Sequence, residues 1–238
     1  MSNKIPIYAH RGASGYILEN TIQAFEKAKE LGADGIEIDV QVTKDNVLIV
    51  YHDLDLKRLA GVNKMVEACS FEELKTVRIG KRFWRRFTNF SIPSLQQVVE
   101  WSNEENVPLN IELKESLLRN NEAIIGFLQN LKLPKDSHFS SFHDELLRVV
   151  KMQRPDFQTA ILVTKKFDWE KLKNMSHIDA VHAHKRYYKQ PYFEYCKQAN
   201  KLLRCYSIKG NEQFLMNPNP QVFGWITDFP DKVLTMQN

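Results

Sequence analysis

A short apolar segment followed by a helical stretch recurs along nearly the whole chain. Ile5–His10, Gly35–Thr43, Leu109–Leu113, His138–Phe142, Thr159–Val163, Asp179–Ala183, Leu202–Ser207 and Val222–Thr227 read as strands. Helical patterns lie between them. Asn20–Leu31 places Ile22, Phe25 and Ala28 on one face, with Asn20 and Gln23 spaced like a capping box. Ser94 and Gln97 form a second capping box before Leu95, Val98 and Val99, and further helices are predicted around Glu122–Leu131 and Glu145–Met152. The Asp45-Asn46 turn dipeptide followed by Val47–Tyr51 predicts a hairpin return on the second strand. Eight β-then-α units in 238 residues match a (β/α)8 barrel, an α/β fold of about 250 residues. A doubly wound open sheet is the alternative, but it would have fewer strands and a Gly-rich phosphate loop after the first. The expectation is one domain over residues 1–238, with an insertion at about 54–92.

Composition narrows the chemistry. Hydrophobic residues at 43% and charged residues at 26% exclude wholesale disorder. A net charge of +4 suits an anionic substrate but is too weak to argue for nucleic acid. Cys69, Cys196 and Cys205 have no metal-like spacing and no C-x-x-C pair, which argues against a disulfide framework or a cysteine zinc site. With neither a signal-peptide apolar region nor an apolar run of ~20 residues, the expectation is a reduced, cytoplasmic, soluble protein without a transmembrane segment.

In such a barrel, chemistry sits at the C-terminal ends of the strands. Those ends carry His10-Arg11-Gly12, Glu37 and Asp39, His52-Asp53, Glu112-Leu113-Lys114, Ser141-Phe142-His143 and Thr227-Asp228. Glu37 and Asp39 are two apart on a strand, so they share a face at roughly 6–7 Å. Carboxylates facing inward among Ile36, Ile38 and Val40 repel each other and lose solvation, so they need a cation. Glu112 has the same setting between Ile111 and Leu113. Three oxygen donors suit Mg²⁺ or Ca²⁺. The alternative is a buried ion network with Arg11 and Lys114. A two-residue hairpin loop would set Asp39 opposite His52, putting that histidine beside the carboxylates together with His10. His182 and His184 share a face of another strand and read as surface or rim residues.

Together, His10-Arg11-Gly12, Glu19-Asn20-Thr21, Glu37-x-Asp39, His52-Asp53, Glu112-Leu113-Lys114, Ser141-Phe142 and Thr227-Asp228-Phe229-Pro230 resemble the signature of the glycerophosphodiester phosphodiesterases. The matches run in order from Ala9 to Pro230. The resemblance implies a (β/α)8 barrel with a small insertion after the His-Asp pair. It implies a divalent cation held by Glu37, Asp39 and Glu112, with His10 and His52 as acid and base. Arg11 and Lys114 would bind the phosphate. The implied reaction is hydrolysis of a glycerophosphodiester to glycerol 3-phosphate and an alcohol. A lysophospholipid substrate at the same site and a non-catalytic binding barrel are the rival readings. The chain departs from the family's usual pattern at Leu18, where Pro is usual. It departs again at Tyr206-Ser207, where a Trp-Thr pair is usual and the Trp helps bind glycerol; Tyr206 is the corresponding candidate.

The insertion carries Lys81-Arg82-Phe83-Trp84-Arg85-Arg86-Phe87 and Phe90, and Lys185-Arg186-Tyr187-Tyr188-Lys189 follows the sixth strand. Each reads either as a surface segment with inward-packed aromatics or, at the barrel mouth, as a lid. A lid of this composition would hold a lipid-like or polyanionic substrate.

Overall fold

A computed structural model describes residues 4–80 and 87–238. The chain begins with β1 (Ile7–His10), α1 (Ile22–Glu30), β2 (Gly35–Val42) and β3 (Leu48–Val50). The segment after β3 contains α2 (Lys57–Ala60) and α3 (Phe71–Lys75), and α4 (Leu95–Glu105) follows it. Next come β4 (Leu109–Leu113), α5 (Asn121–Leu128), β5 (His138–Ser141), α6 (Asp144–Gln153) and β6 (Gln158–Leu162). The chain finishes with β7 (Ala180–His184), α7 (Tyr192–Gln198), β8 (Leu202–Ile208), β9 (Val222–Thr227) and α8 (Pro230–Gln237). Among the described residues, β1, β2 and β4 to β9 are parallel neighbours, and β1 pairs with both β2 and β9. The sheet therefore closes into the expected (β/α)8 barrel. Two crossovers depart from the helical expectation: single 3-10 turns at Trp169–Asn174 and Gln213–Leu215 replace α-helices before β7 and β9.

The helices form where local chemistry satisfies their ends. Ser94 and Gln97 make the predicted reciprocal capping box at α4. At α1 the cap is Thr21, whose side chain accepts from the Ala24 amide. Asn20 is not the cap, and its side chain is used elsewhere. Ala24, Phe25 and Ala28 of α1 join Ile36, Ile38, Val98 and Leu109 in the layer between helices and barrel. A second part of that layer centres on Trp225, Val181 and Leu203. The segment after β3 buries Leu56, Leu59, Val66 and Leu74 against Ile49 and Tyr51 in a smaller core of its own.

The hairpin register corrects the sequence reading by one residue. Val42 faces Leu48 and Val40 faces Val50, so three residues, Lys44 to Asn46, form the loop. Asn46 takes a left-handed φ of 62°, which a three-residue loop needs at that position. The Tyr51 amide, not that of His52, donates to the Asp39 carbonyl at 2.9 Å.

Candidate active site

The parallel register explains why the carboxylates meet. His10 pairs laterally with Glu37, and Asp39 with Glu112. Neighbouring strands are about 4.8 Å apart, so inward side chains from β1, β2 and β4 converge at the C-terminal end of the barrel. Carboxylate oxygens of Glu37, Asp39 and Glu112, all buried, lie within 4.8 Å of one another.

Immediately after β1 the chain turns sharply, with Arg11 at φ 56° and Gly12 at φ 80°. A Cβ on Gly12 would lie 2.6 Å from the Ala24 backbone, so only glycine lets α1 come this close. The turn aims the Arg11 amide at the Glu37 carbonyl at 2.8 Å and at Glu37 Oε2 at 3.0 Å. It also sets Arg11 Nε 3.0 Å from Asp39 Oδ2. A left-handed non-glycine residue costs roughly 1–2 kcal/mol, which the Arg11 contacts offset.

Both readings of the cluster find support, but for different carboxylates. Lys114 Nζ lies 2.7 Å from Asp39 Oδ1 and also contacts Glu112. The Asn20 side-chain amide donates to Asp39 Oδ2 at 2.8 Å. Burial alone would raise the Asp39 pKa, yet the Lys114 and Arg11 charges hold it well below the usual carboxylate range. The ion network therefore satisfies Asp39. Glu37 differs: its Oε1 is buried with no hydrogen-bond partner among the described residues. Burial first, then the Asp39 charge, pushes the Glu37 pKa well up, and Glu112 is raised for the same two reasons. Two cations face three carboxylates, and the shortfall falls at Glu37.

Each candidate histidine is backed by a carboxylate. His10 Nδ1 lies 2.7 Å from Asp228 Oδ1, and its Nε2 lies 4.0 Å from Glu37 Oε2. Loss of solvation pulls the His10 pKa down, but the Asp228 hydrogen bond and the Glu37 charge outweigh it, so the net shift is upward. Asp228 is itself fixed by the Ser14 hydroxyl, which donates at 2.9 Å. On the other side, His52 Nδ1 lies 2.8 Å from Asp53 Oδ1. The Gln41 side-chain amide donates to the carbonyls of Tyr51 at 2.9 Å and Asp53 at 2.6 Å. That clamp on both flanks sets His52 near the carboxylates despite the shifted register. Ser141 and Thr227 act structurally: their hydroxyls donate to the carbonyls of Leu113 and Ile208, each at 2.7 Å.

His10, Arg11, Glu37, His52, Glu112, Lys114 and Tyr206 all line one cavity of about 240 Å³, together with Asn110, Ser140, Phe142 and Asp228. A wider groove of about 710 Å³ shares His52, Glu112, Lys114 and Phe142, and continues along Leu54, Lys57 and Arg58 after β3. Asp39 lies beneath, fully buried. All eight sequence-predicted residues therefore belong to one assembly. The reading missed the backing roles of Asp53 and Asp228, the tether from Asn20, and Arg58. It also placed His182 at the surface or rim, whereas His182 is fully buried inside the barrel and lines this cavity.

The lid candidates Lys81, Arg82, Phe83, Trp84, Arg85 and Arg86 lie outside the described residues. At the other basic-aromatic run the inward-packed reading holds. Tyr187 packs on Trp169, Tyr188 stacks on Phe214 at 3.9 Å, and Lys185 pairs with Glu212 at 2.6 Å. Among the described residues, no helix is long and apolar enough to cross a membrane.

Comparison with known proteins agrees with this geometry. A model of the glycerophosphoryl diester phosphodiesterase family matches residues 10–232. A glycerophosphodiester phosphodiesterase of Caldanaerobacter subterraneus subsp. tengcongensis is 36% identical over 162 residues, covering 67% of this chain and 67% of that protein. One from Bacillus altitudinis is 29% identical over 252 aligned positions, 97% of each chain. Among solved structures, an Oleispira antarctica phosphodiesterase in complex with the product sn-glycerol-3-phosphate superposes with a TM-score of 0.83. It is 25% identical, and the match covers 97% of this chain and 96% of that one. On the family match across residues 10–232 and the fold it shares with the solved phosphodiesterase, the chain belongs to the glycerophosphoryl diester phosphodiesterase family.

Proposed function

We propose that the chain is a cytoplasmic, metal-dependent glycerophosphodiesterase acting as one barrel domain, with Leu54, Lys57 and Arg58 of the insertion on one side of its mouth. It hydrolyses a glycerophosphodiester to glycerol 3-phosphate and an alcohol. One observation carries the reading: two carboxylate-backed histidines meet a buried three-carboxylate cluster in a single cavity. The unpartnered Glu37 Oε1 and the upward shifts of Glu37 and Glu112 fit a cation at this cluster. An all-oxygen donor set suits a hard divalent ion, Mg²⁺ or Ca²⁺. Glu37, Asp39 and Glu112 would hold it, and when bound it supplies positive charge against the phosphate oxygens.

The chain's own groups do the rest. Arg11 and Lys114 present positive charge to the phosphodiester and to the charge that grows on its oxygens in the transition state. One histidine takes the proton of the attacking glycerol 2-hydroxyl as the new P–O bond forms. The other gives a proton to the departing alkoxide as the old P–O bond breaks, and water then opens the resulting cyclic phosphate to glycerol 3-phosphate. Imidazole suits both tasks near neutral pH. Asp53 and Asp228 fix the ring orientations, each holding an Nδ1 so that Nε2 is left for the reaction. Tyr206, at the cavity wall, packs against the glycerol.

Glycerol 3-phosphate release from glycerophosphocholine, measured before and after chelation and again after readdition of Mg²⁺ or Ca²⁺, tests the reading. Loss on chelation and recovery on readdition are expected. Full turnover by protein shown metal-free by elemental analysis would sink it.

A further inference from the structure

The guanidinium of Arg58, on α2 after β3, joins two carboxylates that stand behind different halves of the site. Its Nε donates to Asp53 Oδ2 at 2.5 Å and its Nη2 to Asp53 Oδ1 at 3.0 Å. Nη1 donates to Glu19 Oε2 and Nη2 to Glu19 Oε1, each at 2.8 Å. Asp53 Oδ1 holds His52 Nδ1, and Glu19 Oε1 accepts from Arg11 Nη1 at 2.8 Å. One planar fork thus reaches His52 through one carboxylate and Arg11 through another. Four charge-assisted bonds in fixed directions need the arginine fork; a lysine ammonium is a point charge and cannot reproduce them.

We infer that Arg58 is a positioning residue that sets His52 and Arg11 relative to each other, tying the segment after β3 to the chemistry in the barrel. The inference rests on the proposed roles of His52 and Arg11. Burial raises the Glu19 and Asp53 pKa values, but the Arg58 bonds, joined by Arg11 at Glu19 and by His52 at Asp53, outweigh it and keep both below the usual range. Both carboxylates therefore stay charged and able to accept. The Arg58 side chain is 45% exposed, and its hydrogen bonds go to these two carboxylates. Its loss should therefore disturb the site more than the fold.

The test is a mutant cycle on glycerophosphocholine. Arg58→Gln and Arg58→Lys should each lower kcat by roughly 10–100-fold, the range usual for groups that orient a catalytic residue, with melting temperature close to wild type. In an Asp53→Asn, Glu19→Gln background, Arg58→Gln should add little, because the groups it acts through are already altered. A merely structural Arg58 would instead show Lys rescuing activity, or kcat losses that multiply across the cycle; either outcome overturns the inference. His52→Ala separates the two failures. If His52→Ala is inactive while Arg58→Gln keeps kcat within about twofold, well short of that range, the positioning role is wrong and the active-site reading stands. If His52→Ala is itself fully active, the reading beneath fails and takes this inference with it.

Discussion

The upper and lower halves of the barrel interior are both polar, and they solve burial in opposite ways. Above, Glu37, Asp39 and Glu112 meet Arg11 and Lys114, with His10 and His52 at the edge. Below, His138 and His182 lie fully buried with ring centroids 5.3 Å apart, next to the nearly buried Arg204. Burial and then the Arg204 charge press both lower histidines well below their ordinary pKa. They are kept neutral. The upper carboxylates are kept charged where nearby cations outweigh burial, as at Asp39, and pushed toward protonation where burial and a neighbouring carboxylate win, as at Glu37. A buried neutral imidazole costs far less than a buried charged one, whereas three close carboxylates are stable only with cations among them. The imbalance above, not the mere presence of polar groups, separates a reactive end from a packed one.

The sharpest way to break that contrast is to remove carboxylates above. Glu37→Gln, Asp39→Asn and Glu112→Gln should each lower kcat/KM by roughly 10³-fold or more, since cation charge at the phosphate is worth several kcal/mol. Their stabilities in EDTA should diverge. Asp39→Asn strips Lys114 and Arg11 of a partner and should cost about 3–5 kcal/mol, the range for breaking a buried ion pair. Glu37→Gln removes the carboxylate with the unmatched oxygen and should leave the chelated protein as stable as wild type, or more so. Chemical denaturation in EDTA and in Mg²⁺ checks both, and all three variants should lose the metal-dependent gain. Equal destabilisation by Asp39→Asn and Glu37→Gln would show that the charges are balanced differently.

Next in size are the histidines. His10→Ala and His52→Ala should each lower kcat by roughly 10²–10⁴-fold with the fold kept, the loss typical of a general acid or base. His182→Asn, inside the same cavity but in the neutral set, should cost far less. Comparable losses at His182 and His52 would erase the division drawn here.

Much of this was legible beforehand because it rests on local patterns. Strand β4 and strand β9 begin and end where the apolar runs do. Glu37 and Asp39 share a face by the period of two, and Glu112 joins them once β2 and β4 pair. What stayed hidden depends on geometry that local patterns do not encode. Asn20 sits three residues before Gln23, as a cap would, but at φ 56° its side chain turns to Asp39 instead. The hairpin register hinged on whether the loop held two residues or three. Alternation put His182 and His184 on one face, but not their depth: the stagger of a closed barrel buries His182 and leaves His184 partly exposed. Arg58 escaped notice because a single arginine in an insertion has no pattern; only the fold brings Glu19 and Asp53 to it.

The smallest effect tests the neutral lower histidines through pH. In the unfolded chain His138 and His182 titrate near their ordinary value of about 6.5. In the folded chain their pKa values lie well below it. As pH falls through 6.5 the unfolded state takes up protons that the folded state refuses, so stability is lost on acidification. Each histidine contributes a slope approaching 1.4 kcal/mol per pH unit below that point, until its folded pKa is reached. Above about pH 7 neither contributes. His182→Asn removes one titrating group without adding charge beside Arg204. Its unfolding free energy should therefore fall less steeply than that of wild type between pH 6.5 and 5.5, by about 1 kcal/mol over that unit. Taking the difference between the two proteins cancels the carboxylates above, which titrate in both. Parallel stability–pH curves would mean that His182 is protonated within the folded barrel as readily as in the unfolded chain, and that the lower histidines are not kept neutral.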